Sequence, residues 1–273
     1  MKQPTGHLPL AHRLADAAAR ETVPRFRTAL IADDKDGGSG VADFDPVTEA
    51  DREAERAMRA VVAQAAPGHG VLGEEFPETL GDSPYRWVLD PVDGTRAFVC
   101  GVPVWTTLIG LERDGVSILG VIDQPVSGER WWGGEDVPAM LRRGGEEVPA
   151  RTSGCETLDT ARLMVTDLRH APGGYLSADQ VARIGAVSAQ CRLTRQGLDS
   201  YAFGLVASGH MDLVIEAGLG WHDIAAVVPV IEAAGGTATD WSGARPRQGW
   251  DGTAVIAASP ALAEAARAVL SAG

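Results

Sequence analysis

The stretch RWVLDPVDGTRAF, residues 86–98, constrains this chain more than any other. Trp87, Val88 and Leu89 read as the close of a buried strand, because a short apolar run stopped by proline is a strand signal. Pro91 has no N–H to give to a sheet ladder, so the strand is expected to end there. Asp90 and Asp93 then flank the proline in a tight bend and can point at one spot. At about 4 Å in a partly dry site, their repulsion is on the order of 4 kcal/mol. A fold that builds this turn must bring something positive to it.

Composition bounds what that can be. The 273 residues carry a formal charge of −13, which argues against binding a nucleic-acid backbone or an anionic membrane surface. A phosphate substrate stays open where bound cations invert the local field. No apolar run reaches spanning length, and the start MKQPTGHLPLAHRL lacks the apolar core of a signal peptide. Cys100, Cys155 and Cys191 are scattered and odd in number, which fits reduced thiols; a cytoplasmic location is expected. The six histidines show no zinc-ligand spacing, so a metal would need oxygen ligands.

The length suits one large α/β unit or two small domains sharing an interface. Leu10, Leu14 and Ala18 recur at helical spacing within 8–30, the polar stretch 33–46 reads as a loop, and 48–67 as a second helix. From 86 to 134 the pattern turns to strands, with Asp114-Gly115 as a hairpin turn. Within RWWGG, Trp131 and Trp132 alternate, so at most one is expected to face the core, the other covering a subunit interface or the rim of the site. Residues 134–156 are the best candidate for a connection between halves, taken as 1–145 and 146–273. Beyond them, strands and helices alternate: ARLMVTD precedes a helix opening at Ser177, with Gln180 completing a capping box. CRLTRQ precedes a helix over 198–209, MDLVIEAG another over about 223–234, and AVIAAS the last, from Pro260. Such alternation predicts α/β layers.

Acidic residues gather at the ends of these elements: Glu74 and Glu75 in GEEFPE, Asp90 and Asp93 with the Val92 carbonyl between them, and Asp223 in WHDIAA. Hard oxygen ligands without Cys or His suit Mg²⁺ or Mn²⁺. Gly94 and Thr95 follow where the chain can open a helix, and free N–H groups at such a point bind phosphate oxygens. Together these are the equipment of metal-assisted phosphate hydrolysis. Each piece also has a plainer reading: Glu74-Glu75 as a solvated loop, Thr48 to Asp51 as a capping box, Asp223 as a helix cap, Asp90 to Asp93 as a surface turn. The conjunction weighs against these, since a surface turn rarely follows so apolar a strand.

DPVTEAD (45–51), GEE (73–75), WVLDPVDGT (87–95) and HDIAAVVPVIEAAGG (222–236) resemble, in order and spacing, the signatures of the inositol monophosphatase family, over roughly residues 45–240. The resemblance implies a magnesium-dependent, lithium-sensitive phosphatase with a layered αβαβα sandwich, often a homodimer, with its metals between the halves. It implies that Glu74, Asp90 and the Val92 carbonyl hold one ion and Asp90, Asp93 and Asp223 a second, with Glu74 helping to hold a third. Gly94 and Thr95 would bind phosphate; Thr95 paired with Asp51, together with Glu74, would activate water. Lys35 would correspond to a family lysine near the site. The family commonly has an aromatic residue before the last aspartate, where this chain has His222, expected to pack or support rather than to bind metal.

Residues 90–111, 120–134 and 197–218 look most like the histidinol-phosphatase branch. Asp199 and Glu216 would then pair with the ammonium or imidazole of L-histidinol phosphate, a small phosphate monoester, with Asp93 also touching substrate. Asp199 also reads as a charge at a helix N-terminus, and Arg192 and Arg195 as groups that support phosphate or, the favoured reading, solvate a strand. Inositol phosphates, bisphosphates and 3′-phosphorylated nucleotides are the rival substrates. A non-catalytic metal-binding regulator is the rival of another class, and the intact ligand set argues against it.

Overall fold

The computed structural model describes residues 6–28, 33–34, 46–169 and 176–272; Lys35 lies outside them. The chain runs α1 (Leu8–Thr22), β1 (Asp33–Asp34), β2 (Pro46–Val47), α2 (Glu49–Ala65), β3 (Gly70–Gly73), β4 (Tyr85–Asp93) and α3 (Thr95–Val99). Five strands follow: β5 (Thr106–Arg113), β6 (Val116–Gln124), β7 (Glu129–Gly134), β8 (Val137–Arg143) and β9 (Glu146–Pro149). Then come β10 (Arg162–Val165), α4 (Ala178–Ser188), β11 (Leu193–Gln196), α5 (Tyr201–Ala207) and β12 (Leu213–Glu216). The chain closes with α6 (Trp221–Ile224), α7 (Val227–Ala233), β13 (Thr237–Thr239), β14 (Ala254–Ala257) and α8 (Pro260–Ser271).

Strands β3 to β9 form a seven-stranded sheet in chain order, antiparallel apart from the parallel pair β3–β4. The second sheet has the order β11-β10-β12-β14-β13, with β10 parallel to both its neighbours. Alternation along β4 explains the layering. Trp87 and Leu89 turn to one face, where Leu14, Ala18, Met58 and Val62 of α1 and α2 cover them. Val88, with Leu108, Ile122 and Trp131, turns to the other face and meets Phe203 and Val206 of α5 and Val227 and Ile231 of α7. These middle helices also cover Met164, Val214 and Ile256 of the second sheet. Leu163, Ile215 and Val255 face outward onto Ile184 and Val187 of α4 and Leu262 and Ala266 of α8. The result is five layers, αβαβα. Each large side chain so buried is worth about 1.5–3 kcal/mol.

Several expectations need correction. Strand β4 does not stop at Pro91. It continues to Asp93 through a bulge: Asp90 pairs with Leu108 and Asp93 with Thr106, three steps against two. The bulge accommodates the missing N–H of Pro91, while the Pro91 carbonyl accepts from Thr107 Oγ1 at 2.8 Å. Trp131 and Trp132 are both buried, because the first sheet is covered on both faces. Within 134–156, residues 137–143 and 146–149 form a hairpin that extends the first sheet, turning through Gly144 and Gly145 at φ 63° and 86°. The first helix ends at Thr22, just before Pro24. The helix expected over 198–209 is confined to α5, since Asp199 sits at φ 44°. The one expected over 223–234 divides into α6 and α7, since Pro229 has no N–H to return to Ala225. The Asp114-Gly115 turn is as expected, both residues having positive φ.

Candidate active site

Because β3 and β4 run parallel, with Gly73 opposite Leu89, their C-terminal ends bring Glu74 level with Asp90. The β4 bulge adds Asp93. Asp223 comes from α6, and two glycines set its place. At Gly110 a Cβ would lie 3.0 Å from the Ala225 carbonyl carbon, and at Gly120 it would fall inside the Ala226 carbonyl oxygen, so the α6–α7 segment rests directly on β5 and β6. Donor atoms of Glu74, Asp90 and His222 all lie within 4.8 Å of one another, and so do those of Asp90, Asp93 and Asp223. Asp90 belongs to both groups.

Burial is the main cause that pushes Asp90 well above the usual carboxylate range, and Glu74, Asp93 and Asp223 push it further. Asp93 is raised likewise by burial and then by Asp223, Asp199 and Glu74, against a hydrogen bond from Ser200. Asp223 is raised by burial, although His222 opposes this and the Gly220 N–H donates to its Oδ2 at 2.6 Å. Converging carboxylates that repel one another, Asp90 buried and the others half-buried, are a donor set suited to a hard divalent cation. The residues present fit such an ion.

The turn is braced from within. The Val92 N–H donates to Asp90 Oδ1 at 3.1 Å, and the Val92 carbonyl accepts from Thr95 Oγ1 at 3.1 Å. Gly94 caps α3 at φ 90°, a conformation that favours glycine, and a Cβ there would lie 3.0 Å from that of Asp199. The amides of the first helical turn have no partner within the helix. Thr95 Oγ1 also lies 3.3 Å from Asp51 Oδ1. The other oxygen of Asp51 accepts from the Thr48 N–H at 2.9 Å and Thr48 Oγ1 at 2.5 Å. Asp51 thus closes the capping box of α2 and also meets Thr95. Burial raises it to about 6, against the Thr48 hydrogen bonds.

Asp199 and Glu216 flank the acidic groups. Burial raises Asp199 to about 6, with Arg96 opposing. Glu216, at the end of β12, accepts from the Thr166 N–H at 2.7 Å, yet burial raises it to about 8, helped by Asp199 and Asp223. His222, expected to pack or support rather than to bind metal, places Nε2 3.3 Å from Asp223 Oδ1 and 3.8 Å from Glu74 Oε1. Arg192 and Arg195 are exposed along the edge strand β11 and solvate it. Ser200, which bonds Thr106 Oγ1 at 2.6 Å and supports Asp93, was not anticipated; nothing in its spacing marks it. Among the described residues, no helix is long and apolar enough to cross a membrane.

Comparison with known proteins agrees with this arrangement. The model of the inositol monophosphatase family matches residues 7–272. The bifunctional phosphatase IMPL2, chloroplastic, of Arabidopsis thaliana is 41% identical over 240 residues; the match covers 86% of this chain and 64% of that longer protein. The histidinol-phosphatase of Streptomyces coelicolor is 36% identical, with 86% of this chain and 87% of its own length covered. A solved inositol monophosphatase from Zymomonas mobilis superposes with a TM-score of 0.83 at 38% identity, over 99% of this chain and 100% of its own. With its acidic turn, its five layers and these relatives, the chain belongs to the inositol monophosphatase family.

Proposed function

We propose that this phosphatase hydrolyses L-histidinol phosphate to L-histidinol and inorganic phosphate, as a step of histidine biosynthesis. The observation that carries the substrate reading is a pair of acids beside the metal-binding carboxylates, half-buried Asp199 against the Gly94 turn and buried Glu216 at the end of β12. An aminoalcohol brings an ammonium and an imidazole to such groups, whereas an inositol ring brings only hydroxyls. The histidinol-phosphatase of Streptomyces coelicolor supports the same choice.

Glu74, Asp90 and the Val92 carbonyl would hold one magnesium ion, Asp90, Asp93 and Asp223 a second, and Glu74 a weaker third, with Mn²⁺ as a substitute. When bound, magnesium supplies a water of lowered pKa and neutralises charge on the phosphate and the leaving oxygen. The chain does the rest. Gly94 and Thr95 N–H groups grip the phosphate. Thr95 Oγ1 and Glu74 would orient the attacking water, and its proton would pass to Thr95 Oγ1 as the Thr95 hydroxyl proton moves to Asp51; an Asp51 carboxyl raised to about 6 suits a base working near neutral pH. Water attacks phosphorus in line, the alkoxide leaves as the alcohol, and no phosphoenzyme forms. Residues 1–145 supply most of the ligands, residues 146–273 the specificity groups and Asp223, and the working form is a homodimer.

The test is phosphate release in magnesium, comparing kcat/KM on L-histidinol phosphate and inositol 1-phosphate. A preference of about a hundredfold for histidinol phosphate, ~2.7 kcal/mol of transition-state discrimination, is expected. A preference for inositol 1-phosphate would keep the mechanism and discard the substrate.

A further inference from the structure

The loop that carries Glu74 is held from behind by a charge that no role above uses. Glu55, in the second turn of α2, is fully buried. Its Oε2 accepts from the Glu75 backbone N–H at 2.7 Å, and its Oε1 accepts from Arg59 Nε at 2.7 Å. The same carboxylate presses on the α-carbon of Gly73, so closely that a Cβ there would fall inside it. Both chain neighbours of Glu74 are thus fixed by one side chain. Arg59 extends the grip, donating to Thr79 Oγ1 and to the Phe76 carbonyl, each at 3.0 Å. The Arg56 guanidinium lies 4.9 Å over the Phe76 ring.

A buried carboxylate is a costly way to close a core, and α2 does not need one: Met58 and Val62 already seal it against the first sheet. What an apolar residue at 55 could not do is accept the Glu75 N–H. Asp51 lies one helical turn earlier on the same face. One face of α2 therefore holds Asp51 against Thr95 and, four residues on, the loop of Glu74 against Asp90. The geometry points to Glu55 as a positioning residue for metal binding, acting through the Glu75 N–H and Gly73 to fix Glu74. This rests on the metal role of Glu74 proposed above.

Direct Mn²⁺ binding, followed by the paramagnetic resonance of the free ion, tests it on the full chain alongside magnesium activation. Glu55→Gln keeps the shape and removes the charge. It is expected to weaken at least one Mn²⁺ site about tenfold or more, the usual effect of removing a group that orients a ligand. The half-saturating Mg²⁺ concentration should rise more than kcat at saturation falls. Glu55→Asp, which keeps the charge but withdraws it by one methylene, should weaken binding in the same direction, and it carries the test if the Gln variant does not fold. Met58→Ala takes stability from the same helix without touching the loop, and should bind Mn²⁺ as the parent does. Glu55 variants that bind like the parent would overturn the inference alone, and so would an equal loss in Met58→Ala. A parent chain that binds no Mn²⁺ would overturn the metal reading and this inference with it.

Discussion

At Asp93 the exchange of one oxygen for nitrogen separates charge from shape. Asp93→Asn removes a charge from a crowded acidic site and no volume from a core. Phosphate release should fall at least about a hundredfold, while thermal stability in chelator stays level or rises; unchanged turnover would remove Asp93 from the metal site. Glu216 gives a pH test of the same crowding. In chelator, burial holds the Glu216 proton up to about pH 8, where an unfolded glutamate, near 4.5, has lost it. The folded state then binds more protons than the unfolded one, so stability that is full below about pH 4.5 is lost as pH rises towards 8. His12 works in the opposite sense: burial, then Arg130 and Arg142, lower it to about 4, so its effect falls between pH 6.5 and 4. Between pH 6.5 and 8 the Glu216 effect stands clear of it. The Tm in chelator should drop by several degrees across that range, Asp90 and Asp93, also raised by burial, adding to the loss, and Glu216→Gln should make the drop distinctly smaller; a slope unchanged by the substitution would place its cause in the other acids alone. The convergence of Glu74, Asp90, Asp93 and Asp223 was legible because each acid follows a short apolar or glycine signal at an element end. Ser200 and Glu55 were not, since a serine after an aspartate and a glutamate within a helix look alike whether they face water or a ligand.

Among the elements, the α6–α7 segment shows how a backbone position becomes a chemical one. Asp223 reaches Asp90 because Gly110 and Gly120 let Ala225 and Ala226 sit on β5 and β6. Gly120→Ala would drive a methyl into the Ala226 carbonyl, which is backbone and cannot step aside as a side chain can. The expected cost is about 1–3 kcal/mol of stability, read by denaturant unfolding, with a larger relative loss of magnesium affinity than a core change of equal cost on α8, such as Leu270→Ala, would bring. Equal losses in both variants would show that the seat of α6 does not govern the ion. In this segment the helical period over 223–234 was readable, but its break was not, because Pro229 acts through an N–H missing four residues from its acceptor. The same limit hid the run of β4 past Pro91. Local rules stop a strand at proline, and only the partner strand shows that three residues can be set against two.

On the scale of the whole molecule, the layers explain why apolar periodicity was readable as α/β but not as a count of faces. Trp131 and Trp132 point to opposite sides of β7, and each side is buried, one by α5 and the other by α1 and α2. A sequence shows alternation; it does not show that a second helical layer covers the other face. This architecture also sets what a bound ion does to the fold. Asp90 and Asp93 belong to the first sheet and Glu74 to the loop that leaves its strand β3, whereas Asp223 belongs to the segment packed between the two sheets. An ion shared by these carboxylates adds a charged tie to layers that meet chiefly through apolar contacts and a few hydrogen bonds such as Trp221 Nε1 to Glu112 Oε1, and it cancels repulsion between the crowded acids. Magnesium at about a hundred times its dissociation constant should therefore add ~2.7 kcal/mol of stability. For a chain of this length that is a rise in Tm of roughly 5–10 °C. Differential scanning fluorimetry in chelator, in magnesium and in calcium would measure it. Asp93→Asn should lose most of the magnesium shift, because it removes one of the carboxylates that link sheet to helix. Calcium, with the same charge but a preference for more ligands at longer range, should stabilise the fold and still inhibit turnover. Lithium should inhibit turnover too, as the family resemblance implies. A magnesium shift of the same size in Asp93→Asn as in the parent would mean that the ion binds elsewhere, and the turn at residues 90–93 would need another explanation for its buried charge.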